Sequence, residues 1–241
     1  MRWHIIEGYE GCTFAKENGH VAVIVDALRA STTAAMLFNV GTTDLTLVQD
    51  VDTALRLKAD KPDVMLFGER GGLPPDGFDF GNSPLDAHHA KGRPVGFTTT
   101  NGTTLVREAL GAQDVYMASC INGLRLVQEV LSQENDVVLI PAARVDEPEH
   151  IGQEDWTAAA AIVMLTDQEV GEGVTAFREW QHMISLDGVQ KLFRTSEHGQ
   201  HLINLGLGED VDFCARPNQT TALPKVNGTT EFGIELINRN T

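Results

Sequence analysis

Short, uninterrupted apolar runs recur along the first two-thirds of the chain, each separated from the next by a segment with helical spacing. Val21-Ala22-Val23-Ile24-Val25 is continuous and mostly β-branched, the pattern of a strand buried on both faces. Similar runs over 45–48, 64–67, 94–98, 115–118 and 137–140 predict further strands. Segments over 31–39, 52–60, 85–90, 103–110 and 123–131 read as helices, with Gly41 and Pro62 as stops. Residues 71–77, rich in Gly and Pro, can only be loop. Alternation with such short connections predicts an α/β fold: a three-layer α/β/α sandwich around a mostly parallel or mixed sheet.

After Ala142 the rhythm changes. A polar loop over 144–153 precedes an apolar helix over 155–165 that contains Ala158-Ala159-Ala160-Ala161. Residues 175–205 are mainly helical, which makes the C-terminal third helix-rich. Residues 211–215 are expected to add a strand. The chain reads as a single domain over 1–241, with a core of about 20–224 and a loosely packed tail over 225–241.

Charge narrows the partners. Eighteen basic and 34 acidic side chains give a formal charge of −16, which repels nucleic acid and anionic membrane. An anionic ligand would need cations concentrated locally. Cys12, Cys120 and Cys214 have no metal-ligand or disulfide spacing and read as buried free thiols. No secretory h-region or membrane-spanning run is visible, so a cytoplasmic location is expected. Homo-oligomerisation stays open.

In open α/β sheets ligands bind beyond the carboxyl ends of the strands, and polar residues gather at those ends here. Asp26, Arg29 and Ser31-Thr32-Thr33 follow the first predicted strand. Gly68-Glu69-Arg70-Gly71-Gly72 follows the third, Thr99-Thr100-Asn101-Gly102-Thr103 the fourth, and Arg144 lies just beyond the last. Each has an ordinary alternative. Asp26 could cap the following helix, and Arg29 could be a solvated helix residue. Glu69 and Arg70 could pair only with each other, although an exposed pair contributes only ~0–1 kcal/mol. Thr100 to Thr103 could be a plain helix start, yet that geometry also aims free amides at an anion. Glu154 and Asp155 either complement a helix N-terminus or supply carboxylates to a metal shared with Asp26 or Glu69. His198 and His201 read as solvated or core histidines, Asp52 as a helix cap, and Asp210-Val211-Asp212 as a strand edge. No P-loop, dinucleotide fingerprint, nucleophile elbow or HExxH motif occurs.

Taken together, several blocks resemble the 2-phosphosulfolactate phosphatase family. They are Asp26-Ala27-Leu28-Arg29-Ala30-Ser31-Thr32-Thr33, Gly68-Glu69-Arg70-Gly71-Gly72, Gly77-Phe78-Asp79-Phe80-Gly81-Asn82-Ser83-Pro84 and Thr99-Thr100-Asn101-Gly102-Thr103. Asn122, Glu154-Asp155 and the stretch from Gly199 to Ala215 extend the likeness. The resemblance implies an α/β/α sandwich and Mg²⁺-dependent hydrolysis of 2-phosphosulfolactate to sulfolactate and phosphate, a step of coenzyme M biosynthesis. On that footing Asp26, Glu69, Arg70 and Asp155 are the expected catalytic residues. Asp26, Glu69, Glu154 and Asp155 are the expected metal ligands. Arg29, Asn82, Ser83, Thr100, Asn101, Gly102, Thr103 and Arg144 are the expected substrate contacts. Two alternatives stay open: the same chemistry on another small phosphorylated hydroxy acid, and a non-catalytic anion-binding or regulatory protein.

Overall fold

The computed structural model describes residues 1–143 and 151–239. Strand β1 (Arg2–Ile5) and helix α1 (Gly8–Asn18) open the chain, followed by β2 (Val21–Val25), α2 (Ala30–Asn39), β3 (Leu45–Val48), α3 (Val51–Asp60) and β4 (Met65–Gly68). A 3-10 segment, Pro84–Ala90, leads into β5 (Val95–Thr98), α4 (Gly102–Glu108), β6 (Asp114–Met117), α5 (Gly123–Leu131) and β7 (Val137–Pro141). Then come α6 (Gln153–Val163), β8 (Glu169–Val170), α7 (Val174–Thr195), α8 (Glu197–Asn204), α9 (Gly208–Cys214), β9 (Pro224–Thr229) and β10 (Gly233–Asn238).

All ten strands join one mixed, mostly parallel sheet in the order β4-β5-β3-β10-β9-β6-β2-β7-β1-β8. The fully buried run of β2 has a direct reading. Ala22 and Ile24 face one core with α1, α2 and α4, while Val21, Val23 and Val25 face the other with α5, α6 and the C-terminal helices. Helices therefore cover both faces, as the alternation of the sequence requires. Cys12, Cys120 and Cys214 are buried free thiols, as expected. No described helix is long and apolar enough to cross a membrane.

Two expectations are overturned. The stretch read as a loose tail is the β9–β10 hairpin. β10 pairs antiparallel with β3, and β9 bonds antiparallel to β6, so the hairpin closes the gap between two parallel half-sheets. Pro224, Ile234 and Leu236 are its buried residues, and the Ile234/Leu236 alternation is too short to stand out beside the β-branched runs. Gly233 is required there, because a Cβ at that position would lie 2.0 Å from the Leu47 carbonyl oxygen. Residues 211–215, read as a strand, instead belong largely to α9. Asp210, Val211 and Cys214 are buried at helical spacing. In addition, Asp50 rather than Asp52 caps α3, its carboxylate accepting the Thr53 amide proton at 2.7 Å. Strand β1 and helix α1 carry no recognised sequence signal, since Trp3-His4-Ile5 is shorter than the other runs.

Candidate active site

The β2–α2 turn places a buried acid, Asp26, at the carboxyl edge. The Asp26 Oδ1 accepts the Ala30 amide proton (3.0 Å), so it does cap α2. Ser31 locks the turn, accepting from the Asp26 amide (3.1 Å) and donating to the Ile24 carbonyl (2.9 Å). The other carboxylate oxygen faces α4: a Cβ on Gly102 would lie 2.8 Å from Asp26 Oδ2 and 2.7 Å from Ala30 Cβ. Gly102 is thus a clearance between helix and acid. Gly102→Ala is expected to displace one or the other and lower turnover by about 10²-fold with the fold retained, checked by steady-state kinetics beside circular dichroism.

A cavity of about 360 Å³ opens over this turn, walled by Asp26, Arg29, Glu69, Gly72, Asn82, Thr100 and Asn101 and, from α8, by His198 and His201. A recess of about 30 Å³ adjoins it, lined by Asp26, Asn101, Ala143, Glu154, Asp155 and His198. That is room for a single ion or water.

Glu69 braces the cavity rim. Its Oε1 accepts from the amide and the hydroxyl of Thr100 (2.9 and 3.0 Å), and its Oε2 from the Gly72 amide (2.9 Å). Arg29 is 3% exposed; its Nη1 donates to Asp210 Oδ2 at 2.6 Å and its Nη2 to the Gly72 carbonyl at 2.8 Å. Asp155 clamps two strand ends, its oxygens accepting the Ala27 and Ala143 amide protons at 2.8 and 2.9 Å. Asn82 is 3% exposed, and its Oδ1 has no hydrogen-bond partner among the described residues.

Electrostatics single out the recess. Burial, then the Glu69 charge, push Asp26 up to about 6 against the pull of the Ala30 and Gly102 amides. Burial, then the charges of Glu154 and Asp26, push Asp155 well above the carboxylate range, outweighing its two amide donors. Asp26, Glu154 and Asp155 are each at least nine-tenths buried. Three acids crowded this way destabilise one another's charged forms, and a hard cation relieves the repulsion. All-oxygen donors around a one-ion recess are the chemistry a hard cation takes, although the oxygens of these three acids do not all lie within 4.8 Å of one another. Glu69 fits less well, because its oxygens already accept three hydrogen bonds.

Several sequence expectations change. The Arg70 side chain is exposed and does not wall the cavity; it turns onto the Glu69 carbonyl (2.5 Å) and Thr98 Oγ1 (3.1 Å). Ser83 is buried and spent internally, donating to Asp210 Oδ1 (2.7 Å) and accepting from the Leu85 amide (3.2 Å). Thr103 bonds back to Thr99, with its hydroxyl donating to that carbonyl at 2.7 Å, and faces away from this cavity. The expected oxyanion cradle narrows to Asn101, because Thr100 lines the cavity but gives both its amide and its hydroxyl proton to Glu69. Arg144 lies outside the described residues. Conversely, His198 and His201, which the sequence pattern reads as solvated or core histidines, both line the cavity. Their i, i+3 spacing put them on one helix face, but only the docking of α8 decides what that face meets.

Among the described residues, one group of three metal-ligand side chains has all its ligand atoms within 4.8 Å of one another: His4, His20 and Asp136. It sits where β1, β2 and β7 begin, at the opposite edge of the sheet. The Glu172 amide donates to His4 Nδ1 (3.1 Å), so a neutral ring carries its proton on Nε2 and offers no free lone pair. That cluster does not serve the carboxyl-edge site.

Buried carboxylates, helix-start amides and a guanidinium around one cavity at the carboxyl edge are the parts of an α/β enzyme handling an oxyanion. Comparison with known proteins sharpens this. The 2-phosphosulpholactate phosphatase family model matches residues 9–229, and the chain belongs to that family of phosphoric monoester hydrolases. A probable 2-phosphosulfolactate phosphatase of Deinococcus radiodurans is 35% identical over 211 residues, covering 85% of this chain and 86% of the relative. One from Symbiobacterium thermophilum is 36% identical over 214 residues (86% and 91%). One from Thermotoga maritima is 32% identical over 211 residues (86% and 89%).

Proposed function

We propose that this protein is a Mg²⁺-dependent phosphatase that hydrolyses 2-phosphosulfolactate to sulfolactate and phosphate, the reaction of coenzyme M biosynthesis. The observation that carries this is the Asp26–Glu154–Asp155 recess opening into the larger cavity. Asp26, Glu154 and Asp155 would hold the ion. When bound, it supplies positive charge to the phosphoryl oxygens and acidity to a water.

The chain's own residues do the rest. The Asn101 amide and side chain at the start of α4 hold phosphoryl oxygens as charge moves onto them, and Thr100, which gives its amide and hydroxyl protons to Glu69, fixes that turn. Arg29, fixed by Asp210, presents its remaining N–H groups to the oxyanion. Asp26 receives the proton of the attacking water at Oδ2, the oxygen not engaged with Ala30. Asn82 offers a polar contact to the carboxylate or sulfonate of the substrate. His198 and His201 close the mouth over the leaving hydroxy acid.

The test is phosphate release from 2-phosphosulfolactate, 2-phospholactate and 3-phosphoglycerate, each with Mg²⁺ and with EDTA. The reading expects highest kcat/KM for phosphosulfolactate, loss of activity in EDTA and recovery on Mg²⁺ addition. Preference for another phospho-acid would reassign the substrate. No hydrolysis of any ester would leave an anion-binding protein. Because Asp26 must be ionised both to take a proton and to hold the ion, kcat/KM should fall at acid pH, and raising the Mg²⁺ concentration should move that fall to lower pH.

A further inference from the structure

A second cavity, of about 330 Å³, lies on the other side of α4 from the active site. It forms where β3 ends beside β10, and the helices flanking it leave the sheet on opposite faces. Ala54 and Leu57 of α3 pack with Val48 on one face, and Leu105 and Val106 of α4 pack with Leu47 on the other. A carboxyl strand end with helices diverging to the two faces is where α/β sheets open a ligand crevice.

Its lining is cationic and rich in hydroxyls. Arg56 comes from α3, Arg107 from α4, and Thr53, Thr104 and Thr230 stand around them. Neither guanidinium is consumed by a close carboxylate. The Arg56 Nη2 donates to Thr53 Oγ1 at 2.8 Å. The sole ion-pair contact of Arg107 among the described residues is Glu108 Oε1 at 3.9 Å, beyond hydrogen-bond reach. The Lys61 ammonium adds positive charge nearby, 5.7 Å from the ring centroid of Phe232, another lining residue. Two acids are close. Glu231 is exposed at the rim, and Asp50, which accepts the Thr53 amide proton, feels the Arg56 charge without forming an ion pair with it. In a chain with 18 cationic and 34 acidic side chains, two guanidinium forks meeting in one crevice without close partners call for an anion from outside.

We propose that this crevice is a second oxyanion site, which takes a phosphate group between Arg56 and Arg107. The phosphate is either the inorganic product of the reaction or the head of a phosphorylated acid. Thr103 and Thr104 line the crevice one and two residues beyond Gly102, the residue that clears Asp26. Helix α4 therefore lends residues to this crevice while Gly102 and Asn101 serve the other cavity.

The test is an NMR titration of the full chain with inorganic phosphate and, separately, with 2-phospholactate, following backbone amides. The expected result is a saturable shift at Thr53, Thr104 and Arg107, distinct from any shift at Thr100 and Asn101. In Arg56→Gln/Arg107→Gln the first set should weaken by at least about tenfold in affinity while the second is unchanged. The tighter of the two anions identifies the source. Arg56 is exposed and Arg107 half-buried on helix surfaces; if the double variant fails to fold, Arg107→Gln alone gives the same comparison. Absence of the first set in the wild type, or its persistence in the folded variant, overturns the proposal. Because binding is read directly, the result does not depend on which ester the enzyme hydrolyses.

Discussion

Asp26→Asn is expected to lower turnover by about 10³-fold or more and, in metal-free buffer at pH 7, to raise the melting temperature. The loss follows from removing a proton acceptor and an ion ligand together, each worth several kcal/mol at about 1.4 kcal/mol per decade. The gain in stability follows from the raised pKa. In the folded protein Asp26 titrates near 6, against an ordinary 3.8, so the native state holds its proton more tightly than the unfolded chain does. The stabilisation from holding that proton is complete below about pH 4 and is lost as pH rises through 6. At neutral pH the wild type therefore carries a charge its fold disfavours by on the order of 3 kcal/mol. Asparagine has the same shape and can still accept from Ala30, but carries no charge. At roughly 2–4 °C per kcal/mol for a domain of this size, the variant should melt several degrees higher at pH 7. The two melting temperatures should converge near pH 4. A variant that loses activity and also melts lower at pH 7 would show that Asp26 is held for packing rather than for chemistry.

Asp210→Ala is expected to produce the largest loss of stability. Asp210 is 3% exposed and joins Arg29 at 2.6 Å and the Ser83 hydroxyl at 2.7 Å. Truncating it leaves a guanidinium buried without a counter-charge, which costs about 3–5 kcal/mol. Thermal melts should fall by about 6–20 °C. The informative control replaces both partners, as Arg29→Met with Asp210→Leu. An apolar pair of similar size typically restores stability, because desolvating two charges offsets most of their attraction. That double variant should melt near wild type and remain poorly active. Recovery of both properties would remove Arg29 from the proposed site.

Much of this molecule was legible in one dimension, and the reason differs by feature. The run Val21 to Val25 announced a central strand because both of its faces are buried, so no polar residue is tolerated at either parity. Asp26, Glu69, Thr100 and Asn101 were legible as carboxyl-end residues because parallel strands point every connecting turn the same way, but that Asp26 meets the others with four strands between β5 and β2 was not. The β9–β10 hairpin was not legible: Pro224 to Thr229 is mostly polar or half-exposed, and its place in the sheet depends on partners over a hundred residues away. Arg70 and Ser83 looked like site residues because they sit in polar turns. Whether a side chain in such a turn faces inward is set by neighbours such as Thr98 and Asp210 that no local pattern reveals.

The sequence by itself determined the layered α/β class and the edge of the sheet where chemistry gathers, because both follow from periodicities of a few residues. It also held the family resemblance, carried in contiguous blocks. Tertiary structure alone decided which acids share the recess, that α8 brings His198 and His201 to the cavity, and that a C-terminal hairpin joins the half-sheets. Those depend on contacts between distant segments, whose burial and charge are properties of the packed molecule and not of any stretch of chain.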